Sequence, residues 1–457
     1  MQNNQTPSRQ IDDFFDNELR NYAIYTIENR AIPSAIDGFK PSQRKVAFVA
    51  NRVFKSGNEK PLKVFQLAGR VASEAFYHHG GGSLESAITA MAQDFKNSMP
   101  IFEGVGQFGS LRSPEAGAPR YVGVKFNENF RLLYKDFDLV DSRYEEGEEI
   151  EPKFFLPIIP TVLLNGGSGI AVGFATNILN RNPVDLIDAC IASLDGKELP
   201  TLNPWIKGFT GVYSTTPDNP KSWVVRGRYD VKNTSTVEIH EIPPSFTYEK
   251  YEQHLDGLVE KGVLHSYDDN SSEQVNYVLK FPRQTLADII KKKKLDDVLK
   301  MCERETENFT TLDEFGKLKI FESASDIVKY FVEFRSRYYE IRKQKMLSNL
   351  KDELLVLDNR ARFIKMIIDN ELSINGRKKV ELESDLDKFK FNKRDGSWNY
   401  LTSLPVHTLT KEKFDELKQS LEGKREEVNQ IEKTQPVEMY RNDLKELKKK
   451  VSKNLKK

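Results

Sequence analysis

The sequence has little of what would place it outside the cell or in a membrane. It contains two cysteines, Cys190 and Cys302, in 457 residues, too few for a disulfide framework or a cysteine-rich zinc site, and typical of a reducing compartment. The N-terminus has no apolar stretch of the kind that secretory signals need. No apolar run reaches the roughly 18 residues of a membrane helix. We therefore expect a cytoplasmic protein without a membrane segment.

Charge is balanced overall but segregated along the chain. The 69 Lys and Arg residues against 68 Asp and Glu residues give a net charge of +1, which excludes a uniformly basic nucleic-acid coat and an acidic disordered tail. Residues 30–70 nevertheless have a net charge of +7, and residues 136–151 have one of −7. The basic segment indicates a local polyanion site, whereas the acidic stretch is expected to edge a domain. The length predicts roughly two to four domains.

The first two thirds of the chain mix helical and strand patterns. Residues 84–95 have the apolar spacing of an amphipathic helix, with Ser83 as a candidate N-cap. Residues 160–178 are glycine-rich and β-branched, which favours short strands and tight turns. Further strands are predicted at 222–229, 236–242 and 274–281, with a helix at 246–261.

Two heptad seams follow. Apolar residues step by three and four at Leu347, Leu350, Leu354, Leu357, Ala361, Ile364 and Ile368. The same steps recur at Phe414, Leu417, Leu421, Lys424, Val428 and Ile431, with one polar member. Turn signals at 375–376 and 395–396 lie between the seams, so an antiparallel helical hairpin with a tip domain at 371–410 is favoured. An ordinary amphipathic pair on a core is the alternative. Residues 451–457 are predicted to be a solvated helix end.

The first candidate motif spans residues 37–45. Two turn signals, Asp37-Gly38 and Lys40-Pro41, lead to Arg44 and Lys45 on a following helix. Cations at a helix start oppose its dipole, and a bound phosphate would relieve that cost. A solvated basic face is the alternative.

The second motif spans residues 77–83. His78 and His79 precede three glycines and Ser83. Six histidines in the whole chain, with no cysteine nearby, do not favour a metal site. The glycine-rich entry into a helix suits an anion, and a structural histidine pair is the alternative.

The third motif runs from Phe108-Gly-Ser-Leu-Arg112 to Ala118-Pro-Arg-Tyr121 and places Arg120 beside Tyr121 on a Gly/Pro-rich loop. A free phenol has a pKa of about 10 and is a poor nucleophile at neutral pH. An adjacent guanidinium would stabilise both the phenolate and a crowded pentacovalent phosphate. Tyr121 is thus a candidate phosphoryl-accepting nucleophile, and a half-buried core tyrosine is the alternative.

The fourth motif, at 165–173, lacks the Lys-Ser/Thr of a Walker A loop and the GxGxxG spacing, which disfavours nucleotide binding. A turn that presents Ile170 outward would place an apolar wedge at a duplex. The run Lys291–Lys294 is interpreted as a solvated helix face that could contact a duplex electrostatically.

In this order and spacing, the motifs together resemble the breakage–reunion subunit of type IIA DNA topoisomerases, from about residue 24 onward. The stretches that carry the resemblance are IPSAIDGFKPSQRKV, YHHGGGSLESAI, GQFGS with APRY, LLNGGSGIAVGFATNI, VEIHEIPPSFTYEKYEQHL and WNYLTSLPVHTLT. Each is weak alone, but jointly they are highly specific. Some look eukaryotic and others bacterial, a mixture similar to that of T-even-like phage members. Pro119 departs from the family's usual alanine, and Gln43 from the bacterial histidine.

The resemblance implies a multidomain α+β fold. Its parts would be an N-terminal arm (1–24), a winged-helix domain of the catabolite-activator type with the active-site tyrosine (25–175), an α/β tower domain (176–325), a long antiparallel coiled coil (326–370 and 411–457) and a small helical dimerisation tip, the C-gate (371–410). Nothing follows residue 457, so a gyrase-type wrapping domain and negative supercoiling are not expected.

The resemblance also assigns roles to residues. Tyr121 would form a 5′-phosphotyrosyl link to DNA, and Arg120 would steady the scissile phosphate. Ile170 would wedge into the duplex, and Gly82 and Ser86 match positions beside which poisons of this family bind. The expected DNA contacts are Arg30, Lys40, Gln43, Arg44, Lys45, His78, His79 and Ser83.

Partners are implied as well. The protein would dimerise with itself through the C-gate, bind double-stranded DNA and work with a subunit that bears the Toprim and ATPase domains. The sequence shows no nucleotide-binding loop and no Asp-x-Asp cluster, since Asp268 and Asp269 lie in a turn-like stretch. Mg²⁺ and ATP are therefore expected through the partner, and no metal is expected on this chain alone.

Two other functions stay open on the sequence. A tyrosine recombinase would leave a 3′-phosphotyrosyl link, but its Arg-His-x-x-Arg cluster is not found upstream of a C-terminal tyrosine. A non-catalytic coiled-coil protein that bends DNA would share the basic segment, Ile170 and the hairpin.

Overall fold

The computed structural model describes residues 11, 14–55, 60–216, 218–272, 274–374 and 376–454. Half of the predicted N-terminal arm, Asn375 of a predicted turn and the last three residues of the predicted helix end lie outside this set. The chain forms two compact units. Unit 1 comprises the residues up to Arg335 together with those from Asp443 onward, and unit 2 spans Ser336–Asn442. Among the described residues, no helix has the length and apolarity to cross a membrane.

Helices and short antiparallel strands alternate, as the predicted α+β class requires. The α-helices are α1 (Arg20–Thr26), α2 (Pro41–Val53), α3 (Val64–Glu74), α4 (Gly81–Ala92), α5 (Glu128–Leu133), α6 (Thr161–Leu164), α7 (Pro183–Leu194), α8 (Tyr248–Glu260), α9 (Arg283–Lys291), α10 (Leu295–Val298), α11 (Ala324–Ile368), α12 (Lys379–Lys388), α13 (Asn399–Thr402), α14 (Lys411–Lys433) and α15 (Pro436–Asn454). Phe14–Leu19 and Ile27–Ala31 flank α1 as π-helical turns, and Phe137–Leu139 and Val406–Thr408 are 3₁₀-helical. The strands are β1 (Leu62–Lys63), β2 (Phe102–Val105), β3 (Gly123–Phe126), β4 (Ser142–Glu145), β5 (Glu148–Pro152), β6 (Gly167–Ile170), β7 (Ala175–Ile178), β8 (Val212–Thr216), β9 (Asn219–Arg226), β10 (Arg228–Val231), β11 (Thr236–Glu241), β12 (Ser266–Asp269), β13 (Tyr277–Lys280), β14 (Cys302–Thr306), β15 (Thr310–Leu312) and β16 (Leu318–Ile320).

A small sheet and three helices form the part of unit 1 that carries the candidate motifs. Strands β1, β3 and β2 pair antiparallel in that order, so that Val124 lies between Leu62 and Gly104. The fully buried side chains of α2, α3 and α4 include Val46, Val49, Val64, Leu67, Val71, Leu84 and Ile88. Burial of each such side chain stabilises the fold by roughly 1.5–3 kcal/mol. This core fixes the start of β3, the strand that follows Tyr121.

Helix α4 begins three residues earlier than the sequence predicts. Gly80 is its N-cap, and the Ser83 backbone N–H donates to the Gly80 carbonyl at 3.2 Å. The Ser83 hydroxyl also donates to that carbonyl, at 2.7 Å. The prediction of Ser83 as the N-cap is therefore wrong, because the glycines themselves enter the first helical turn.

The predicted strand at 222–229 is divided at Gly227. Strand β9 before it belongs to the sheet β14-β9-β8, whereas β10 after it belongs to the sheet β10-β11-β13-β12. A Cβ at Gly227 would lie 2.4 Å from the Glu241 carbonyl oxygen, so the chain changes sheets where only glycine fits. The other predicted strands in this region, and its helix, form near their predicted places as β11, β13 and α8.

Unit 2 is built on α11 and α14, which carry the two predicted seams. Ion pairs join Lys351 to Glu432 at 2.8 Å and Asp358 to Arg425 at 3.5 Å. The residue number of the α14 partner falls as the residue number in α11 rises, so the two helices run antiparallel. The polar seam member Lys424 pairs with Glu353 of α11 at 2.9 Å.

A separate apolar cluster lies between the two seams. Its buried residues are Phe363, Leu372, Leu386, Phe391, Trp398 and Leu401. The Trp398 indole N–H donates to the Phe391 carbonyl at 2.9 Å, which satisfies the one polar atom that the ring buries. The segment predicted as a tip thus has its own core, which Phe363 of α11 completes.

The predicted second arm, residues 411–457, is not one helix. Helix α14 ends at Lys433, and Pro436 begins α15, whose residues from Asp443 onward belong to unit 1. Val451 is 4% exposed, and Lys448 pairs with Asp188 of α7 at 2.6 Å. The prediction of a solvated helix end is therefore wrong at Val451, because that side chain is buried in unit 1.

Candidate active site

Tyr121 ends a turn that leads directly into β3. Its side chain is 67% exposed, which excludes the half-buried core tyrosine. The Arg120 guanidinium carbon lies 4.8 Å from the centroid of the Tyr121 ring, within the range of a cation–π contact. Within the described residues, the phenolic hydroxyl makes no hydrogen bond, so its oxygen is free to meet an incoming group.

The backbone of Tyr121 is firmly held even though its side chain is not. Its N–H donates to the Ala118 carbonyl at 2.8 Å, and its carbonyl accepts from the Lys63 ammonium at 2.5 Å. The Pro119 carbonyl accepts from the Phe65 N–H at 3.3 Å, so the proline fits this turn. A fixed backbone under a free phenol suits a nucleophile that must meet its target in one orientation.

The loop between β2 and the tyrosine is closed by one buried amide. The Gln93 side-chain NH₂ donates to the Phe108 carbonyl at 2.9 Å and to the Pro114 carbonyl at 3.0 Å. Gly109 between them has a φ of +79°, and a Cβ there would lie 2.7 Å from the Ser113 carbonyl oxygen. The second glycine of the GQFGS motif, Gly109, is thus required because the chain makes a left-handed turn close to the loop's own backbone.

The histidine motif faces solvent, and each of its polar side chains has a neighbour. His79 Nε2 lies 2.7 Å from the Tyr25 hydroxyl, and His78 Nε2 lies 3.0 Å from Glu145 Oε1. The Ser83 hydroxyl lies 2.9 Å from the Tyr77 hydroxyl. Both histidines and Ser83 are exposed, so a phosphate could reach them.

The basic motif at 37–45 is built around a buried carboxylate. Asp37 Oδ2 accepts from Arg44 Nε at 2.7 Å, and Asp37 Oδ1 accepts from Arg44 Nη2 at 3.1 Å. Arg44 is 5% exposed. The prediction that Arg44 contacts DNA is therefore wrong in this structure, because its guanidinium is turned inward to Asp37.

Gln43 and Lys45 are also engaged within the protein. The Gln43 amide oxygen accepts from the Lys40 backbone N–H at 2.9 Å and thereby caps α2. The Lys45 ammonium donates to the Ala75 carbonyl at 2.5 Å and lies 3.3 Å from Glu151, with 13% of its side chain exposed. Neither is placed as a free phosphate ligand.

Arg30, Lys40 and Ile170 meet at one pocket of about 490 Å³. Ile170 is 89% exposed at the end of β6. The Lys40 ammonium donates to the Ser168 carbonyl of the same strand at 2.7 Å, and burial lowers the pKa of Lys40. A Cβ at Gly169 would lie 2.1 Å from the Ala31 carbonyl oxygen, so the hairpin sits directly on the end of the π-helical turn that contains Arg30. The exposed Ile170 side chain thus lies on a hairpin that is packed closely against the protein.

Two other sequence candidates have plain structural roles. Asp268 pairs with Lys280 at 2.9 Å, and the Asp269 carboxylate accepts from the Ser271 N–H at 2.8 Å. The run Lys291–Lys294 is exposed, but α9 ends at its first residue, so the helical-face interpretation is wrong for the other three. No group of three or more His, Cys, Asp or Glu side chains that could hold a metal occurs in the described part of the chain.

Sequence reasoning missed Lys63, Gln93 and Arg112. Lys63 lies in the basic segment but carries no motif of its own. Gln93 follows the last residue of α4, and no local pattern indicates that it bonds Phe108, 15 residues later. Arg112 is inside a recognised motif, and its buried guanidinium contacts the carbonyls of Ile242 and Pro243. Only tertiary structure reveals these contacts.

Comparison with known proteins gives consistent results. The family model for the A-type subunit of DNA gyrase/topoisomerase IV matches residues 30–447. The chain is 32% identical to the DNA topoisomerase medium subunit of Enterobacteria phage T4, over 97% of this chain and 100% of that protein. It is 34% identical to DNA topoisomerase 2 of Arabidopsis thaliana, over 83% of this chain and 26% of that one.

A solved structure shows the same architecture. The DNA-binding, cleavage and re-ligation domain of Plasmodium falciparum topoisomerase II matches with a TM-score of 0.85 and 31% identity, over 97% of this chain and 64% of that chain. The chain therefore spans the whole phage relative but about a quarter of the plant one.

Proposed function

The chain belongs to the family of DNA gyrase/topoisomerase IV A-type subunits, and on that premise we propose that it is the breakage–reunion subunit of an ATP-dependent type IIA DNA topoisomerase. One observation carries the proposal. Tyr121 presents an exposed, unbonded phenol on a fixed turn with Arg120 over its ring. The protein would open a duplex transiently so that a second duplex passes, which relaxes or untangles DNA.

The proposed chemistry is a reversible transesterification. The Tyr121 oxygen attacks a backbone phosphorus in line, the P–O3′ bond breaks, the phenol loses its proton and the departing 3′ oxygen gains one. Arg120 offsets the negative charge that develops on the phosphate. Return of the 3′ hydroxyl reverses each bond change, so resealing needs no energy source at the break.

We assign the finer architecture by the same resemblance. Residues 25–175 would form the winged-helix domain and 176–325 the tower, while the antiparallel pair α11 and α14 would form the coiled coil. The apolar cluster around Trp398 supports a folded C-gate tip that dimerises two copies. A dimer would supply two tyrosines for the two strands.

Metal and nucleotide are proposed to enter with a partner. The described side chains form no cluster that fits a magnesium ion, so the metal would be held by carboxylates of the partner. The phage relative is named a medium subunit, which supports assembly with a second subunit that bears the Toprim carboxylates and the ATPase. DNA cleavage by this chain alone is therefore expected to be poor.

The polarity of the covalent link tests the proposal. The chain, joined with the partner co-purified from its native source, is incubated with end-labelled duplex and trapped with detergent. We expect protein on the 5′ end of the break and a free 3′ hydroxyl. A protein-blocked 3′ end would indicate a recombinase, and bending without any covalent complex would indicate an architectural protein.

Removal of the wedge should reduce bending and leave the fold intact. Because Ile170 is 89% exposed, we expect Ile170→Ala to change the free energy of unfolding by less than about 0.5 kcal/mol. The bend angle, measured by energy transfer between the ends of a labelled duplex, should fall clearly. Ile341→Ala, at an isoleucine that is 43% exposed, is the control. An equal bend angle in Ile170→Ala and Ile341→Ala would show that Ile170 does not bend the duplex.

Salt dependence should separate the cations that reach DNA from those that do not. Each phosphate contact contributes about −0.9 to the slope of log K against log salt. Arg30 is exposed, and we expect Arg30→Gln to make the slope shallower by about that amount. Lys45→Gln should leave the slope unchanged, since its ammonium is already bound by Ala75 and Glu151. Fluorescence anisotropy with a labelled duplex measures the slope for both variants. A shallower slope in Lys45→Gln and an unchanged slope in Arg30→Gln would contradict the assignment of Arg30 as the phosphate contact.

A further inference from the structure

Arg112 joins two sequence motifs that are far apart in the chain. It lies in the loop that leads to Tyr121, yet the residue is only 6% exposed. Its side chain packs against residues 242–246, the segment that follows β11. Its Nη1 donates to the carbonyls of Pro243 and Phe246 at 2.8 and 2.9 Å. Its Nη2 donates to Glu241 Oε1 and to the Ile242 carbonyl, both at 2.5 Å. One guanidinium thus meets four acceptors.

Glu241 is fixed as completely as its partner. Its Oε1 also accepts from the Ile242 N–H at 3.2 Å, and its Oε2 accepts from the Thr210 N–H at 2.9 Å and the Thr210 hydroxyl at 3.1 Å. The side chains of the ion pair are 7% and 6% exposed. A buried pair whose hydrogen bonds are satisfied holds one geometry and resists displacement.

Between β2 and the anchored Tyr121 turn, the loop has few other bonds that define its position, one of them from the Gly117 N–H to the Gln107 carbonyl at 2.8 Å. Residues 106–118 contain no helix or strand. Gln93 fastens the neck of the loop, and the Ser110 N–H donates to the Ser113 carbonyl at 2.8 Å to form its tip. Arg112 projects from that tip, and the Arg112 carbonyl accepts from the Tyr248 N–H at 3.0 Å. The far end of the loop is therefore attached to the fold through Arg112.

We propose that Arg112 and Glu241 are a positioning pair that sets where the Tyr121 loop lies by fastening its tip to the segment 241–246. This inference rests on the proposed function of Tyr121. A displacement of about 1 Å at a reacting group can cost about 100-fold in rate. Without the pair, the loop would be held only at its neck and by the bonds of the Tyr121 turn, which permits such a displacement. Because both side chains are almost fully buried, we expect the pair to act through the loop and not by contact with DNA.

Local order tests the pair without any reaction. Hydrogen exchange is followed in peptides that cover 106–121 in the wild type, Arg112→Met, Arg112→Lys and Glu241→Gln. Arg226→Met is the matched control, because Arg226 forms an exposed ion pair with Asp296 in the same region. We expect the loop to lose protection in all three test variants, while α4 keeps its protection. Unchanged loop protection in Arg112→Met would overturn the proposal.

Cleavage then separates positioning from general stability. At saturating duplex, in the complete enzyme, Arg112→Met should form the covalent complex about 100-fold more slowly with an unchanged duplex Kd. Arg112→Lys keeps the positive charge and should therefore be more stable than Arg112→Met. Its rate should stay low, because one ammonium cannot donate to the four acceptors that the planar guanidinium reaches. A normal rate in Arg112→Met refutes the pair. Absence of covalent complex in the wild type and in Arg226→Met refutes the proposed function instead.

Discussion

Replacement of Tyr121 by phenylalanine should abolish the covalent protein–DNA complex and leave duplex binding intact. The change removes one oxygen from a side chain that is 67% exposed, so neither the core nor the charge of the surface is altered. Loss of an enzyme nucleophile costs on the order of 10⁶ in rate, which places the expected yield below detection. The measurement is detergent trapping of the complex with its partner, followed by denaturing electrophoresis of labelled DNA.

A second exposed tyrosine provides the control. Tyr144 in β4 is 68% exposed, and Tyr144→Phe should form the complex at the wild-type level. Peptide mapping of nuclease-digested adducts should place the nucleotide remnant on Tyr121. Survival of the complex in Tyr121→Phe, or a remnant on another residue, would show that the nucleophile has been misassigned.

Replacement of Asp37 by asparagine should destabilise unit 1 by about 3–5 kcal/mol, because it leaves the Arg44 cation buried without a counter-charge. Asp37 Oδ2 also accepts from the Phe155 N–H at 3.0 Å. In either orientation of an asparagine amide at position 37, its NH₂ group would face a hydrogen-bond donor that is now bonded to a carboxylate oxygen of Asp37. Denaturant unfolding followed by tryptophan fluorescence and by circular dichroism gives the change in midpoint.

An exposed pair of the same chemistry serves as the reference. Arg52 and Glu149 lie 2.7 Å apart with 42% and 37% of their side chains exposed, and Glu149→Gln should cost only about 0.2–1 kcal/mol. The double variant Asp37→Asn with Arg44→Met should recover part of the loss, since no buried charge remains. An equal loss in Asp37→Asn and Glu149→Gln would contradict the role assigned to burial.

Sequence reasoning predicted best where a local pattern determines structure. The heptad steps of Leu350 and Leu421 lie on α11 and α14, and the turn that presents Ile170 forms as expected. Those features depend on residues a few positions apart, whose spacing the sequence states directly.

Prediction failed where contacts that form only in the folded chain decide the structure. Arg44 looks like any cation near a helix start, but Asp37 and the surrounding core turn it inward. The strand at 222–229 has a continuous β pattern, yet Gly227 switches sheets because the Glu241 carbonyl approaches it. Helix α15 continues a charged helical pattern, but Pro436 and the burial of Val451 return it to unit 1. Arg112 gave no sign of its partner, since the Glu241 carboxylate lies 129 residues away along the chain.

The return of α15 has a consequence for synthesis on the ribosome. Leu444, Leu447 and Val451 are almost fully buried, and Lys448 bonds to Asp188, 260 residues earlier. Unit 1 therefore cannot finish folding when its first 335 residues have emerged. Until residues 336–442 and α15 have been translated, the surface that α15 covers in the finished unit 1 remains exposed on the nascent chain. Exposed apolar surface makes a folding chain prone to aggregation, so we expect this discontinuous domain to need chaperones during that interval.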